Sequence, residues 1–265
     1  TFGGGINAGK LVKVNVNSFG PDILVVGIVE KYIASTNLLH FRQVNYSLSF
    51  GTNPYILAID AGNPISYVSG STNTTNLVNG TSGGTLVNGT SYSSANSGAW
   101  VFDGVNDYIN TSFNTSLFTA NATMLLWLQL DSNTPDSGQT GLSGFAASFA
   151  GNNHYPWTDG RGYFTIFRSD RIDSIVLSSL DKSTIHLLVI TINATDWKLY
   201  QNTTLITTST SLGSVKLSDP VIGTNSTNTF YNYKGKIFQF NLLNQALTAT
   251  QITNYYNATK SRYGL

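Results

Sequence analysis

The chain has no cysteine, a single methionine and a single glutamate, Glu30, and only 10% of its 265 residues are charged. Without cysteine there is no disulfide, so the fold must rest on a hydrophobic core large enough by itself. A cysteine nucleophile and a cysteine-bound zinc are excluded as well. Fourteen basic residues against thirteen acidic ones leave a net charge of +1. That is too little and too balanced for the clustered basic face that nucleic acid requires. No apolar run approaches the ~20 residues of a membrane-spanning helix. The first residue is Thr1 rather than Met, as expected of a processed or partial chain.

The same scarcity bears on catalysis. Glycoside hydrolysis needs two carboxylates facing the scissile bond, and one glutamate cannot supply both. Asp159, Asp170 and Asp173 cluster in sequence but flank turns, and they read as solvated loop carboxylates. There is no Gly-x-Ser-x-Gly elbow and no His-Glu-x-x-His helix, and His40, His154 and His186 are scattered. Gly3-Gly4-Gly5 lacks the preceding strand of a dinucleotide fingerprint. The expectation is a non-enzymatic protein without a catalytic cofactor.

What is present is 41% hydrophobic and 12% aromatic residues, enough for a packed core, with Asn, Ser and Thr in place of charge. Such a surface suits strands and turns. The Asn-x-Ser/Thr triplets are numerous: Asn45, Asn73, Asn79, Asn88, Asn110, Asn114, Asn121, Asn193, Asn202, Asn225 and Asn257. Eleven is about twice the roughly six expected from composition, which favours a glycan-bearing, extracellular or cell-surface protein.

Two regions differ in pattern. Residues 1–52 open on a Gly-rich tip. Three strand-forming runs follow: Lys10–Phe19, Asp22–Tyr32 and Leu38–Phe50, separated by Gly-Pro and Asn-rich punctuation. Three strands over ~50 residues do not make an independent core. From residue 53 onward short strands recur at regular spacing: Tyr55–Asp60, Ala99–Phe102, Tyr108–Asn110, Ala122–Leu130, Gly144–Ala150, Gly162–Arg168, Ser174–Leu180, Ile185–Ile192, Lys198–Gln201, Thr204–Thr208, Pro220–Gly223 and Gly235–Leu242. That spacing implies an all-β sandwich. Gly70–Gly98 is nearly all Ser, Thr, Asn and Gly, and it reads as surface loop and short hairpin outside the core. One helix is expected over Thr248–Lys260, capped by a Ser/Thr-type residue, with Ile252, Tyr255, Tyr256 and Thr259 on one face.

The run Ala99–Asn110 (AWVFDGVNDYIN) resembles the Phe-Asp-Gly-x-x-Asp-Tyr signature of laminin-G-like, concanavalin-A-like jelly rolls. Ala122–Leu130, Ile185–Asn202 and Lys234–Asn257 are similar to later strands and to the closing strand-turn-helix of the same family, in the same order. The resemblance covers residues 55–265. It implies an antiparallel jelly-roll sandwich, with residues 1–52 as a strand-rich extension and one small C-terminal helix. It also implies a structural Ca²⁺ site at the rim, with Asp103 and Asp107 as ligands, unless those residues merely form a hydrogen-bonded turn. Trp127, mid-strand with Leu125 on its own face, reads as core.

The loop Asn152–Tyr163 gathers His154, Tyr155, Trp157, Asp159 and Arg161. An aromatic platform beside planar polar groups suits a sugar; the same residues also anchor protein interfaces, or fold back on their own sandwich. Two functions are open. In one, the chain is a structural subunit of an extracellular glycosylated filament: the strand bearing Leu11, Val12, Val14 and Val16 adds to the sheet of another copy, giving a homopolymer. In the other, it is a carbohydrate-binding or adhesion module with glycan partners; a phage tail-fibre or capsid-decoration protein is a further setting.

Overall fold

A computed structural model of the chain describes residues 11–15, 23–33, 38–48, 54–111, 121–134, 141–144, 152–154, 161–164, 172–176, 184–210, 221–224 and 232–265. The chain divides into two units, Thr1–Pro54 and Tyr55–Leu265. The first is a three-stranded antiparallel meander of β1 (Leu11–Asn15), β2 (Ile23–Ile33) and β3 (Leu38–Leu48). Leu11, Val12 and Val14, assigned above to pairing with another copy, pair with Ile28, Gly27 and Val25 of β2 in the same chain. Val16 lies outside the described residues. The lone glutamate, Glu30, is in β2.

The second unit is an antiparallel sandwich with one short C-terminal helix, as the jelly-roll resemblance implies. Its strands are β4 (Tyr55–Asp60), β5 (Asn73–Thr75), β6 (Ser82–Val87), β7 (Ser91–Ser93), β8 (Ala99–Asp103), β9 (Tyr108–Thr111) and β10 (Ala122–Leu130). There follow β11 (Gly141–Gly144), β12 (Asn152–His154), β13 (Arg161–Phe164), β14 (Ile172–Val176), β15 (His186–Ile192), β16 (Trp197–Gln201), β17 (Thr204–Ser209), β18 (Val221–Ile222) and β19 (Lys234–Leu243). One sheet runs β17-β16-β15-β10-β19-β8-β7, with β4 also on β19; the other runs β14-β13-β12-β11-β18-β9-β6-β5.

The period-2 alternation of β10 sets the layers. Met124, Leu126, Leu128 and Leu130 face the inter-sheet core with Leu57, Leu86, Trp100, Phe102, Ile109, Ile222 and Phe240. Leu125 and Trp127 point the other way and are equally buried. Helix α1 (Ala249–Thr259) and the 3-10 turn Lys260–Tyr263 account for that second layer. Trp127 stacks on Tyr256 at 5.6 Å and meets Tyr263 at 4.5 Å. Thr248 caps the helix: its Oγ1 accepts the Gln251 N–H, and the Gln251 side chain accepts the Thr248 N–H. Ile252, Tyr255 and Thr259 are the buried face. Tyr256 is half-buried, resting on Trp127 rather than entering the core.

The Ser/Thr/Asn/Gly tract corrects the loop reading. It contains β5, β6 and β7, and β6 is an interior strand paired with β5 on one side and β9 on the other. Asn76 within it is buried: its Oδ1 accepts the Ala58 N–H at 3.0 Å and its Nδ2 donates to the Ile56 carbonyl at 3.0 Å. A side-chain amide here completes the main-chain bonding of β4, a role a backbone strand would otherwise fill.

Candidate functional site

Edge strands β5 and β7 end the two sheets on the same flank of the sandwich, and the connections around them enclose a cleft of about 290 Å³. Its walls are Tyr67 and Ser69–Thr72 from the β4–β5 connection, Leu86 of β6, and Gly89, Thr90, Ser91 and Tyr92 leading into and forming β7. The floor is aromatic. Tyr67 is 5% exposed and lies 5.4 Å from Tyr92 at 44°, with its edge toward Trp100 at 5.8 Å and 76°. Tyr92 is half-buried against the same core. Burial pushes the Tyr67 phenol above its ordinary value, partly offset by the nearby Gly70 N–H.

The rim is made of hydroxyls and glycines. Thr90 Oγ1 donates to Val87 and Tyr108 carbonyls at 3.1 and 3.3 Å, so its lone pairs remain as acceptors. Ser71 Oγ is committed both ways: it donates to the Asn73 carbonyl at 2.8 Å and accepts the Asn73 N–H at 3.0 Å. Gly70 and Gly89 adopt φ of +86° and +103°, conformations that let the chain turn at both lips without a side chain in the opening. No charged residue lines the cleft among the described residues.

A carboxylate stands close to Gly89. A Cβ added there would stand 3.7 Å from Asp107 Oδ1. Asp107 is 3% exposed; its Oδ2 accepts the Asp103 N–H at 3.0 Å, while its Oδ1 has no hydrogen-bond partner among the described residues. Burial raises its pKa above the ordinary carboxylate value; the Asp103 N–H opposes the shift and the Asp103 charge adds to it. Asp103 Oδ1 accepts the Val105 N–H at 2.7 Å, and Gly104 sits at φ +84°. The carbonyls of Val105 and Asn106 accept the side-chain amides of Asn232 and Asn88. Calcium takes six to eight oxygens; here Asp107 Oδ2 and Asp103 Oδ1 each accept a main-chain N–H. Asp103 and Asp107 form a hydrogen-bonded turn, and no group of three or more His, Cys, Asp or Glu gathers among the described residues.

His154 ends β12 and pairs with Tyr163, and Arg161 opens β13 opposite Val176; both are strand residues rather than loop residues. Tyr155, Trp157 and Asp159 lie outside the described residues. His186 opens β15 and is buried, as its position at the head of a core strand implies. Among the sequons, Asn73, Asn79, Asn88, Asn110, Asn121 and Asn257 are exposed, Asn193 and Asn202 are half-buried, and Asn45 lies on β3. Asn114 and Asn225 lie outside the described residues. Among the described residues, no helix is long and apolar enough to cross a membrane.

Two packed antiparallel sheets define a jelly-roll β-sandwich. The chain belongs to the concanavalin A-like lectin/glucanase superfamily, whose family model matches residues 103–253. Among solved structures it is similar to domain 4 of AbnA, a GH43 extracellular arabinanase from Geobacillus stearothermophilus in complex with arabinotriose. That likeness has TM-score 0.57 and 15% identity over 76% of this chain and 97% of that one. It is also similar to the botulinum neurotoxin serotype D ligand binding domain in complex with N-acetylneuraminic acid, at TM-score 0.61 and 13% identity over 78% and 51%. A mutant Trypanosoma rangeli sialidase displaying trans-sialidase activity matches at TM-score 0.57 and 10% identity, over 97% of this chain and 45% of the enzyme. The chain spans about half the length of the neurotoxin domains it matches, and at these identities the likeness speaks for the fold alone. A search of curated protein sequences gave no match.

Proposed function

We propose that the chain is a non-catalytic carbohydrate-binding module of a secreted or surface protein, and that its ligand enters the cleft between Tyr67 and Tyr92. The observation that carries this reading is the pairing of an aromatic floor with a hydroxyl rim in one concavity. The C–H face of a sugar ring packs on an aromatic surface, while its hydroxyls need neutral donors and acceptors held around the edge. The shared fold supports the reading, since two of the similar domains are described in complex with sugars. The exposed sequons suit an extracellular setting. The filament reading has no comparable support, whereas the similar domains are described as a ligand binding domain and as a domain in complex with a sugar.

A glycan array probed with the full chain, Tyr92→Ala and Ser69→Trp tests the proposal. Binding by the full chain that both variants lose is the expected result. Ser69 is exposed, so the second variant blocks the cleft without opening the core. Absence of binding to every glycan, or binding indifferent to both variants, overturns it.

A further inference from the structure

We infer that the cleft takes an uncharged saccharide terminus of one or two rings and turns away sugars that carry a carboxylate; this rests on reading the cleft as a sugar site. A protein holds a carboxylate with an arginine or lysine, or with free main-chain N–H groups. Neither is offered. No basic side chain lines the cleft among the described residues. Three N–H groups around it are already engaged: Ser71 N–H on the Val68 carbonyl at 2.9 Å, Leu86 N–H on the Thr72 carbonyl at 2.7 Å, and Gly70 N–H toward the Tyr67 phenol. Close to Gly89 stands a carboxylate, Asp107, whose Oδ1 has no hydrogen-bond partner among the described residues. An anionic sugar would give up its hydration for an uncompensated site next to a like charge.

A neutral sugar finds the complement it needs. A sugar hydroxyl both donates and accepts. The rim supplies Thr90 as an acceptor and Ser69 and Ser91, whose hydroxyls have no hydrogen-bond partner among the described residues. Tyr92 supplies a half-buried ring for stacking, held by Tyr67 beneath it. About 290 Å³ is at the small end of ligand pockets, which limits the occupant to a chain end or a single ring.

Matched pairs differing in the carboxylate separate this inference from the broader one. The full chain is titrated calorimetrically with methyl glucoside against methyl glucuronide, and with lactose against sialyllactose. The expected result is that each neutral sugar binds roughly tenfold tighter or more than its carboxylated partner, equal to about 1.4 kcal/mol. Ser91→Arg, at an exposed position on the rim, narrows or inverts the ratio by supplying the missing cation. Carboxylated sugars binding as well as neutral ones, with that binding lost in Tyr92→Ala, overturn the charge selectivity and leave the cleft as a sugar site. No binding by either class, or binding unchanged in Tyr92→Ala, overturns both.

Discussion

The guanidinium of Arg262 grips the carboxylate of Asp60 through two hydrogen bonds, Nη1 to Oδ2 at 2.7 Å and Nη2 to Oδ1 at 3.0 Å, across 202 positions of sequence. The pair ties the end of β4 to the turn after α1. Asp60 is buried and also accepts the Gly62 N–H at 2.9 Å, while Arg262 is partly exposed. Removing the cation leaves a buried carboxylate with one remaining partner of the three. Arg262→Leu is expected to cost about 2 kcal/mol, below the 3–5 typical of a fully buried pair because water reaches Arg262. Arg262→Lys restores the charge but not the fork and recovers part of the loss. Urea unfolding of the three proteins measures both steps; equal midpoints for Leu and wild type would show the pair to be inert.

Gly62 makes a second contact in the same corner. A Cβ at this position would lie 1.6 Å from the Ser97 carbonyl oxygen and 2.8 Å from its carbon, both backbone atoms that cannot rotate aside. Ser97 Oγ in turn donates to the Arg262 carbonyl at 2.8 Å. Gly62→Ala therefore has to push apart the β4 end, the turn before β8 and the C-terminal turn. A loss of about 3 kcal/mol is expected, at the upper end for an overpacked site. Thermal unfolding reads it directly, and a midpoint within a degree or two of wild type would contradict the close approach.

The sandwich was legible because its main strands alternate cleanly. Ala122–Leu130 shows Met124, Leu126 and Leu128 on one face and Leu125 and Trp127 on the other, and both faces are buried as that run implies. The helix was legible from Thr248 and the spacing of Ile252, Tyr255 and Thr259. The cleft was not. Its wall is a tract of Ser, Thr, Asn and Gly whose strands carry almost no apolar side chains, so no period emerges; β6 offers Leu86 as its one large core residue. What holds those strands is main-chain pairing and buried polar side chains such as Asn76, which leave no hydropathy signal. Tyr67, just ahead of the tract, and Tyr92, within it, are the clue the sequence offers. The run Asn152–Tyr163 gives the stronger signal, because aromatic and charged residues are dense there.

Sequons that serve the fold need care when they are removed. Asn202 sits at φ +55° in the two-residue turn joining β16 to β17, and its Oδ1 accepts the Leu187 N–H at 3.0 Å. Asparagine tolerates that backbone conformation better than most residues. Asn202→Gln is expected to cost about 1–2 kcal/mol in unglycosylated protein, from the lost bond and the strain together. Thr204→Ala breaks the same triplet at an exposed position and is expected to stay within about 0.5 kcal/mol of wild type. Equal stabilities for the two variants would mean that the Asn202 amide does nothing for the hairpin.

Asp107 makes the stability of the sandwich depend on pH in an unusual direction. Its carboxyl is raised by burial, and the Asp103 charge adds to the rise, so the native state holds the proton more tightly than the unfolded chain does. Between the unfolded value, 3.8, and the higher folded one, the native state binds more protons, and its stability falls as pH rises through that window. This runs opposite to the familiar carboxylate, which stabilises when ionised. Asp107→Asn keeps an oxygen to accept the Asp103 N–H and removes the buried charge. Its stability relative to wild type is therefore expected to improve as pH rises through that window and to level off above it. Carbon-detected NMR titration should place the Asp107 carboxyl above its ordinary range, with a smaller rise remaining in Asp103→Asn because burial is the larger cause. Millimolar Ca²⁺ is expected to leave the unfolding temperature of the wild type unchanged at neutral pH. A clear increase that vanishes in Asp107→Asn would show that the lone oxygen is a cation ligand, and the hydrogen-bonded-turn account of Asp103 and Asp107 would fall.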